Sequence, residues 1–284
     1  MSGQESLARL LAGRERIAVI SGAGCSTASG IGDYRDADGG WKRSPPVQMQ
    51  DFVRDPLVRR RYWARSMLGW PQIARARANA AHRALAELES AGAISGLITQ
   101  NVDGLHQQAG HRDVIELHGR LADVVCLDCG YRMCRAALQA RLEADNGWLA
   151  RSAAPAAPDG DADLADSVDL AAFRVPDCPS CAGMLKPDVV FYGDSVPRER
   201  VAASYALVDA ADALLVVGSS LMVFSSFRFC RRAHERGIPI AAVNRGVTRA
   251  DPLLTLKVED DCTAVLPALA RAVRRGTGSS RGDA

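Results

Sequence analysis

The chain has 284 residues, of which 48% are hydrophobic and 24% charged, enough to build the core of one large domain or two smaller ones. Thirty-five basic against thirty-three acidic residues leave a formal net charge of +2. A general nucleic-acid binder has a strong basic excess, so we expect no nucleic-acid partner. The sequence shows neither an export signal nor an apolar run of about 18 residues, so we expect a cytoplasmic protein with no membrane partner.

The first predicted element is a short, β-branched strand at residues 16–20 that leads into a Gly-rich turn. Similar strand patterns recur at 96–99, 188–191, 214–217 and 238–243, and helical patterns at 80–90 and 198–211. Strands that alternate with helices are typical of an open parallel sheet. The pattern therefore predicts an α/β fold with a large, Rossmann-like domain built from residues 1–33, 78–120 and 186–284.

Two regions interrupt this alternation. Residues 34–77 are rich in Arg, Trp and Pro and lack a clear strand, and we expect a helical insertion that belongs to a smaller domain. Residues 121–185 hold two cysteine pairs and are predicted to form a metal-binding module. Inside that module, the Ala, Pro and Asp tract at 152–167 offers little to bury and is interpreted as an exposed loop.

The four paired cysteines indicate one structural zinc ion. Cys126 and Cys129 form one Cys-x-x-Cys pair, and Cys178 and Cys181 form the other. Four thiolates close a tetrahedral zinc shell and leave no open position for catalysis. The alternative is a redox dithiol, which two matched pairs make the weaker interpretation.

The Gly-rich turn at residues 22–27 follows the first predicted strand and precedes a predicted helix, so its backbone amides could face a pyrophosphate. Thr27 stands where a dinucleotide-binding fingerprint has its third glycine, and no second strand ends in an acidic residue about 20 positions later. These departures disfavour a hydride-transferring dehydrogenase.

Polar side chains follow the predicted strand at 96–99. Residues 99–106 read Thr-Gln-Asn-Val-Asp-Gly-Leu-His, and their amide and carboxylate groups could bind a ribose or a carboxamide. His118 lies at the end of another extended segment, directly before the cysteine module. An imidazole there is suited to act as a general base, and the alternative is a structural histidine with satisfied hydrogen bonds.

Seven motifs, in this order, resemble the sirtuin family. They are Gly-Ala-Gly-Cys-Ser-Thr-Ala-Ser-Gly-Ile-Gly-Asp-Tyr-Arg at 22–35, Thr-Gln-Asn-Val-Asp-Gly-Leu-His at 99–106, Leu-His-Gly at 117–119, the four cysteines, Lys-Pro-Asp-Val-Val-Phe-Tyr-Gly-Asp at 186–194, Gly-Ser-Ser-Leu at 218–221 and Val-Asn-Arg-Gly at 243–246. Within the family, the segments 61–71 and 218–221 resemble the class II branch that includes the mitochondrial lipoamidase-type sirtuin, with bacterial members as the expected relatives.

The resemblance implies a role for each matching residue. A loop over NAD would contain Gly22, Ala23, Gly24, Ser26, Asp33, Tyr34 and Arg35. The catalytic residues would be His118 as base, with Asn101 and Asp103, which together with Gln100 would also hold the nicotinamide ribose and carboxamide. The adenosine side of NAD would meet Gly218, Ser219, Ser220, Asn244, Arg245, Gly246 and Cys262. An acylated peptide would pair with a strand edge at Val189, Val190, Phe191 and Gly193.

The activity implied is that of an NAD-dependent protein lysine deacylase, which takes an acylated-lysine protein or peptide and releases nicotinamide and O-acyl-ADP-ribose. NAD would be the co-substrate of the large domain, and zinc would be structural. Gly32 and Tyr34 depart from the family's Pro-Asp-Phe-Arg pattern, and a more mobile cofactor loop is expected. The alternatives are an ADP-ribosyltransferase and a non-catalytic protein that binds zinc and NAD or ADP-ribose.

The acyl group is the least determined feature. Tyr62 and Arg65 have a Tyr-x-x-Arg spacing that resembles the carboxylate-binding pair of desuccinylating sirtuins, and this spacing places both residues on one helix face. An arginine in the acyl pocket would favour acidic acyl groups. The alternative is that Arg65 is a surface cation in an arginine-rich segment.

Overall fold

The computed structural model describes residues 2–42, 46–150, 161–162, 164–165 and 167–279. In chain order, the helices and strands of these residues are α1 (Gly3–Leu11), β1 (Ile17–Ser21), α2 (Met49–Arg54), α3 (Pro56–Arg75), α4 (Ala80–Ser90), β2 (Ile94–Thr99), α5 (Leu105–Gln108), β3 (Val114–Glu116), β4 (Gly119–Cys126), β5 (Arg132–Cys134), α6 (Arg135–Asp145), α7 (Gly147–Ala150), β6 (Leu185–Val189), α8 (Arg198–Ala210), β7 (Ala213–Val217), α9 (Phe224–Glu235), β8 (Ile240–Val243), β9 (Leu256–Val258) and α10 (Cys262–Ser279).

The larger sheet is parallel throughout, with strand order β3-β2-β1-β7-β8-β9. Strands β1 and β7 lie at its centre and are buried at every position, because helices cover both faces. Ile17 and Val19 pack against α1, α4 and α10, whereas Ala18 and Ile20 pack against α8 and α9. The predicted Rossmann-like architecture is confirmed.

The smaller sheet is antiparallel, with order β5-β4-β6. Its buried face shares one hydrophobic core with α2, α3 and α6, in which Phe52 and Trp63 are fully buried. The helical insertion and the cysteine module are therefore packed together. The exact division of the chain into domains stays a prediction.

One strand prediction is wrong in its placement. The run at 188–191 was expected in the parallel sheet, but the strand here is β6, which pairs antiparallel with β4 in the small sheet. Pro187 lies within β6 and cannot donate a backbone hydrogen bond, which suits the edge position of this strand. A short apolar run does not reveal the direction of its partner, which explains the error.

The predicted exposed loop at 152–167 is also wrong at its carboxyl end, whereas residues 151–160, 163 and 166 lie outside the described residues. Asp161 and Ala162 are buried because Arg65 of α3 binds both. The Arg65 guanidinium lies 3.0 Å from the Asp161 carboxylate, and its Nε donates to the Ala162 carbonyl at 2.9 Å. Arginines of α3 thus compensate polar groups that the composition of the tract alone would leave in water.

Within the described residues, no helix combines the length and the apolar character that a membrane crossing requires.

The turns after β1 and β7 pack backbone against backbone. Gly24 donates its N–H to the Gly218 carbonyl at 2.8 Å, and Gly218 has a φ of +56°. A Cβ on Gly218 would lie 2.3 Å from the backbone nitrogen of Cys25, closer than real contacts allow. Only glycine fits between these two turns.

We predict that Gly218→Ala lowers the free energy of unfolding by about 2–5 kcal/mol, because it adds a backbone clash to an unfavourable φ. The matched control is Gly92→Ala, since Gly92 has a φ of +77° but no atom within 4 Å of its Cβ position. That change should cost about 1 kcal/mol. Urea denaturation measures both values, and equal losses would contradict the role of the close contact.

Candidate active site and metal centre

A cleft of about 880 Å³ opens at the carboxyl ends of β1, β2, β7 and β8, where parallel sheets bind ligands. Most of the predicted site residues line it: Gly22, Ala23, Gly24, Asp33, Tyr34, Arg35, Gln100, Asn101, His118, Val189, Val190, Phe191, Gly193, Gly218, Ser219, Ser220, Asn244 and Arg245. Ser26, Asp103, Gly246, Tyr62 and Arg65 are not among its described lining residues. Sequence motifs that are far apart in the chain therefore meet in one cavity.

The floor of the cleft is made by glycine backbone. A Cβ on Gly22 would lie 2.7 Å from Ser219 Cβ, and one on Gly24 would lie 2.9 Å from the Gly218 carbonyl oxygen. Because no side chain fills this floor, a ligand can approach the backbone closely, as the binding of a dinucleotide requires. The N–H groups of Gly22 and Gly24 themselves donate to the Val217 and Gly218 carbonyls. The observed cradle fits NAD.

Gln100 and Asn101 connect the ends of three strands. Gln100 Nε2 donates to the Ser219 hydroxyl at 2.7 Å and to the Ser21 carbonyl at 3.2 Å, while its Oε1 accepts from Ser226 at 2.8 Å. Asn101 Nδ2 donates to the Gly22 carbonyl at 3.1 Å. Both side chains therefore present a fixed orientation to the cleft.

Asp103 lies behind this wall. Its carboxylate accepts from the Ser26 hydroxyl at 2.7 Å and from the backbone N–H of Leu105 at 2.9 Å. Burial raises the pKa of Asp103, and these two hydrogen bonds oppose the shift. Ser26 in turn accepts from Asn101 Nδ2 at 3.0 Å, so Asp103 acts on the cleft through Ser26 and Asn101.

His118 lies on the turn between β3 and β4. Its Nδ1 is 3.1 Å from the Gln100 carbonyl oxygen, which can only accept, so Nδ1 carries the proton of the neutral ring. Its Nε2 is then a free acceptor and lies 2.8 Å from the Ser225 hydroxyl. Burial lowers the pKa of His118 to about 4, with further lowering by the charges of Arg200 and Arg228 and an opposing effect of the Gln100 hydrogen bond. The ring is therefore neutral near pH 7.

Several lining residues were not found from the sequence, among them Ser225, Arg228 and Tyr205. Ser225 and Arg228 are three positions apart on α9, and both line the cleft. Tyr205 of α8 lines it too, and its ring packs against Phe229 of α9. The motif at 218–221 precedes α9 closely, but nothing in the sequence indicates which face of that helix meets His118.

A second cavity of about 620 Å³ adjoins the first and shares Gly24, Gly218, Asn244 and Arg245 with it. Cys262, predicted beside the adenine, lines this cavity. Burial raises the pKa of its thiol to about 12. Gly246 has a φ of +79°, and a Cβ there would lie 2.4 Å from the Ala37 carbonyl oxygen. A glycine at this position therefore allows the backbone at Ala37 to lie against the turn after β8.

The segment after β6 forms the opposite wall. Val190 donates its N–H to the His118 carbonyl at 2.8 Å, and Tyr192 forms a bridge with Gln48. The aromatic ring of Phe191 packs against Phe52 and Tyr62 with centroid separations of 5.2 and 5.1 Å. This wall therefore rests on the core of the small domain.

Tyr62 and Arg65, predicted to hold an acyl carboxylate, have other partners in the structure. Tyr62 is 6% exposed and packs edge-on against Trp63 as well as the two phenylalanines. Arg65 is bound to Asp161, whose side chain is 4% exposed. A guanidinium that already faces a buried carboxylate is poorly placed to bind another, so their acyl-reading role stays a prediction without support from the geometry.

The four predicted zinc ligands converge in the small domain. Their sulfur atoms all lie within 4.8 Å of one another, and the Cys126–Cys181 and Cys129–Cys178 pairs are separated by 3.6 and 3.8 Å. Tetrahedral zinc with Zn–S bonds of about 2.3 Å spaces its sulfurs by roughly 3.8 Å. Backbone N–H groups of Ser180 and Gly183 point at the sulfurs of Cys178 and Cys181. The donor set fits one structural zinc ion.

The sequence profile of the Sir2 family matches residues 22–225, so the chain belongs to the Sir2, or sirtuin, family. An NAD-dependent protein deacetylase of Bordetella bronchiseptica is 54% identical over 94% of this chain and 97% of its own length. Another NAD-dependent protein deacetylase, from Xanthomonas campestris, is 58% identical over 89% of this chain and 86% of its own.

Solved Sir2 structures share the fold. One Sir2 enzyme, from work on mechanism and regulation, superposes with a TM-score of 0.77 and 31% identity over 96% of this chain and 98% of its own. A Sir2 complex with a p53 peptide and NAD+ gives a TM-score of 0.73 and 30% identity, over 98% and 100% of the two chains. The expected family and its bacterial relatives are confirmed, while the class II assignment stays a prediction.

We predict one zinc ion per chain, which elemental analysis measures. Cys178→Ser should lose most of the metal and lower Tm by roughly 10 °C, because the small domain loses the bonds that hold its two turns together. Cys134→Ser is the control, since Cys134 is an exposed cysteine on β5 outside the cluster. Wild-type protein without zinc, or equal metal loss in the control, would contradict the site.

Proposed function

We propose that this chain is an NAD-dependent protein lysine deacylase that releases nicotinamide and O-acyl-ADP-ribose. The observation that carries the proposal is the position of His118. A neutral histidine with its acceptor nitrogen fixed toward the cleft shares one cavity with a side-chain-free cradle for a dinucleotide. The high identity to proteins named NAD-dependent protein deacetylases supports the same activity.

NAD would supply a ribose carbon that carries nicotinamide as a good leaving group. The turns at 22–24 and 218–220, whose glycines leave room for close approach, would lie against its diphosphate, and Asn244 and Arg245 would bind the adenosine ribose. Gln100 and Asn101 would hold the nicotinamide side, in the orientation that their hydrogen bonds to Ser219 and Gly22 fix. Tyr34 would shield this region from water.

His118 would act as the base. Its Nε2 would exchange the hydroxyl of Ser225 for a ribose hydroxyl of the co-substrate and accept that proton. The Gln100 carbonyl holds the Nδ1 proton and would stabilise the resulting imidazolium. A cleft wall of Val189, Val190 and Phe191 would bind the acylated peptide, with its main chain paired to this edge.

The acyl group stays open between acetyl and longer or acidic groups. The relatives are named deacetylases, which favours acetyl-lysine as the first substrate to test. We also propose a cytoplasmic location, which the four metal-spaced thiols support because such sites persist under reducing conditions.

We predict that the protein, with NAD and an acetyl-lysine peptide, releases nicotinamide and acyl-ADP-ribose in equal amounts, as followed by mass spectrometry. His118→Ala should bind NAD but lose about 10²-fold or more in kcat/KM. His234→Ala, an exposed histidine on α9, is the matched control and should keep full activity.

Three outcomes would contradict the proposal. ADP-ribose attached to the protein substrate would indicate a transferase, and NAD binding without nicotinamide release would indicate a non-catalytic protein. Near-normal turnover of His118→Ala would show that another group is the base.

We predict that the acid limb of kcat/KM lies well below pH 6.5. Since burial lowers the pKa of His118 to about 4, its Nε2 stays unprotonated as the pH falls from 7 to about 5. Activity that depends on this base should fall only as the pH approaches about 4. A pH profile with its midpoint near 6.5, the value of an exposed histidine, would contradict the buried and neutral state.

A further inference from the structure

Arg228 is a cation in the cleft that lacks an anionic partner. Its Nε is buried without a hydrogen-bond acceptor, and no described carboxylate lies within 4.0 Å of its guanidinium. The other arginines of this helix are paired, since Arg232 and Arg236 contact Asp209 and Arg231 contacts Glu235. The one described contact of Arg228 is with the ring of Phe224, at 5.5 Å.

An arrangement of this kind has an energetic cost. A buried donor without an acceptor loses its bond to water and gains nothing in return, so such groups are rare in folded proteins. The planar guanidinium presents several N–H donors in a fork that matches the two oxygens of a carboxylate. An anionic ligand group would satisfy both the buried N–H and the charge.

The position of Arg228 separates two possible ligands. Arg228 lies one turn after Ser225, whose hydroxyl contacts Nε2 of His118, and its charge is close enough to lower the pKa of His118. Both residues line the cleft. The glycine cradle that would bind the diphosphate lies at the ends of β1 and β7. Arg198, exposed at the start of α8, lines the same cleft and also has no described carboxylate within 4.0 Å.

We propose that Arg228 binds a carboxylate of the peptide substrate, so that acylated lysines which carry or adjoin a carboxylate are preferred. The carboxylate has two possible sources: the end of an acidic acyl chain such as succinyl or glutaryl, or an acidic side chain next to the modified lysine. This inference rests on the proposed deacylase activity. It assigns selectivity for the acyl chain or for the neighbouring residue to α9 instead of to Tyr62 and Arg65, which are not among the described lining residues of the cleft.

The test measures kcat/KM of wild-type protein and of Arg228→Met on four peptides, which share one sequence except at the modified lysine and the residue beside it. Two carry acetyl-lysine, flanked by Glu or by Gln, and two carry succinyl-lysine or glutaryl-lysine flanked by Gln. We expect Arg228→Met to lower kcat/KM for at least one carboxylate-bearing peptide by about 10- to 100-fold, as for loss of a charge-assisted bond. For the neutral acetyl-lysine peptide the loss should not exceed about threefold.

Two further variants sharpen the result. Arg228→Lys keeps the charge but not the fork and should recover part of the loss. Arg231→Met removes an exposed arginine of the same helix and should not change the preference. Loss confined to the acidic acyl peptides identifies the acyl chain as the source, and loss confined to the Glu-flanked peptide identifies the neighbouring side chain.

Equal losses on all peptides, or a change confined to the KM for NAD, would overturn the inference while leaving the deacylase function intact. The two failures stay distinct, because wild-type protein that turns over none of the peptides would overturn the function itself. In that case the affinity of wild-type and Arg228→Met protein for the acidic and neutral peptides, measured by fluorescence anisotropy, still decides the inference. Equal affinity of both proteins for all peptides would overturn it.

Discussion

The contact between the turns after β1 and β7 is the constraint on which the site depends. Gly24 and Gly218 meet backbone to backbone, and any side chain at Gly218 would collide with Cys25. Because these turns touch, Ser219 comes within reach of Gln100, whose amide then connects β1, β7 and α9. One steric condition thus sets both the floor of the cleft and the orientation of an amide in its wall. Parallel strands alone would bring the ends together only to within the spacing of a sheet.

The protonation state of His118 follows from the same connection. Gln100 uses its side chain to join the strands and its carbonyl to hold Nδ1 of His118, so the residue that fixes the cleft also selects the tautomer. Burial keeps the ring neutral, and the acceptor nitrogen is left for the Ser225 hydroxyl of α9. A histidine at this place without the carbonyl could rotate or exchange tautomers. Gln100 therefore fixes both the arrangement of the strand ends around the cleft and the position of the proton on His118.

The sequence predicted the elements with strong local signals and missed what depends on distant partners. The central strands and the glycine turns are visible because β-branched runs and glycine positions are local properties. The four cysteines were recognised because their spacing itself encodes two turns that can share a metal. In contrast, β6 was assigned to the wrong sheet, because its direction depends on pairing with β4. Asp161 was expected in solvent, because its burial depends on the charge of Arg65. Ser225 and Arg228 were missed for a related reason: which face of a polar helix meets the cleft is decided by packing against α8.

Two strands join the zinc-binding turns to the cleft: β4 runs from the His118 turn to Cys126, and β6 runs beside it from the second cysteine pair. Strand β6 begins shortly after Cys181 and ends at Val189, and the next residue donates its backbone N–H to the carbonyl of His118. Lys186 lies buried within this strand, where its ammonium donates to the Pro187 and Val189 carbonyls and lies 4.6 Å from the Phe191 ring. A charge in such a place is tolerable only while those carbonyls stay in position. Val190, which contacts the His118 carbonyl, lies nine positions after Cys181. A displacement of the turn at Cys178 and Cys181 would therefore shift β6, the cleft wall that follows it and the His118 turn. A zinc ion held by four thiolates would have no open coordination position, so it would act on the cleft only by holding the ends of these strands.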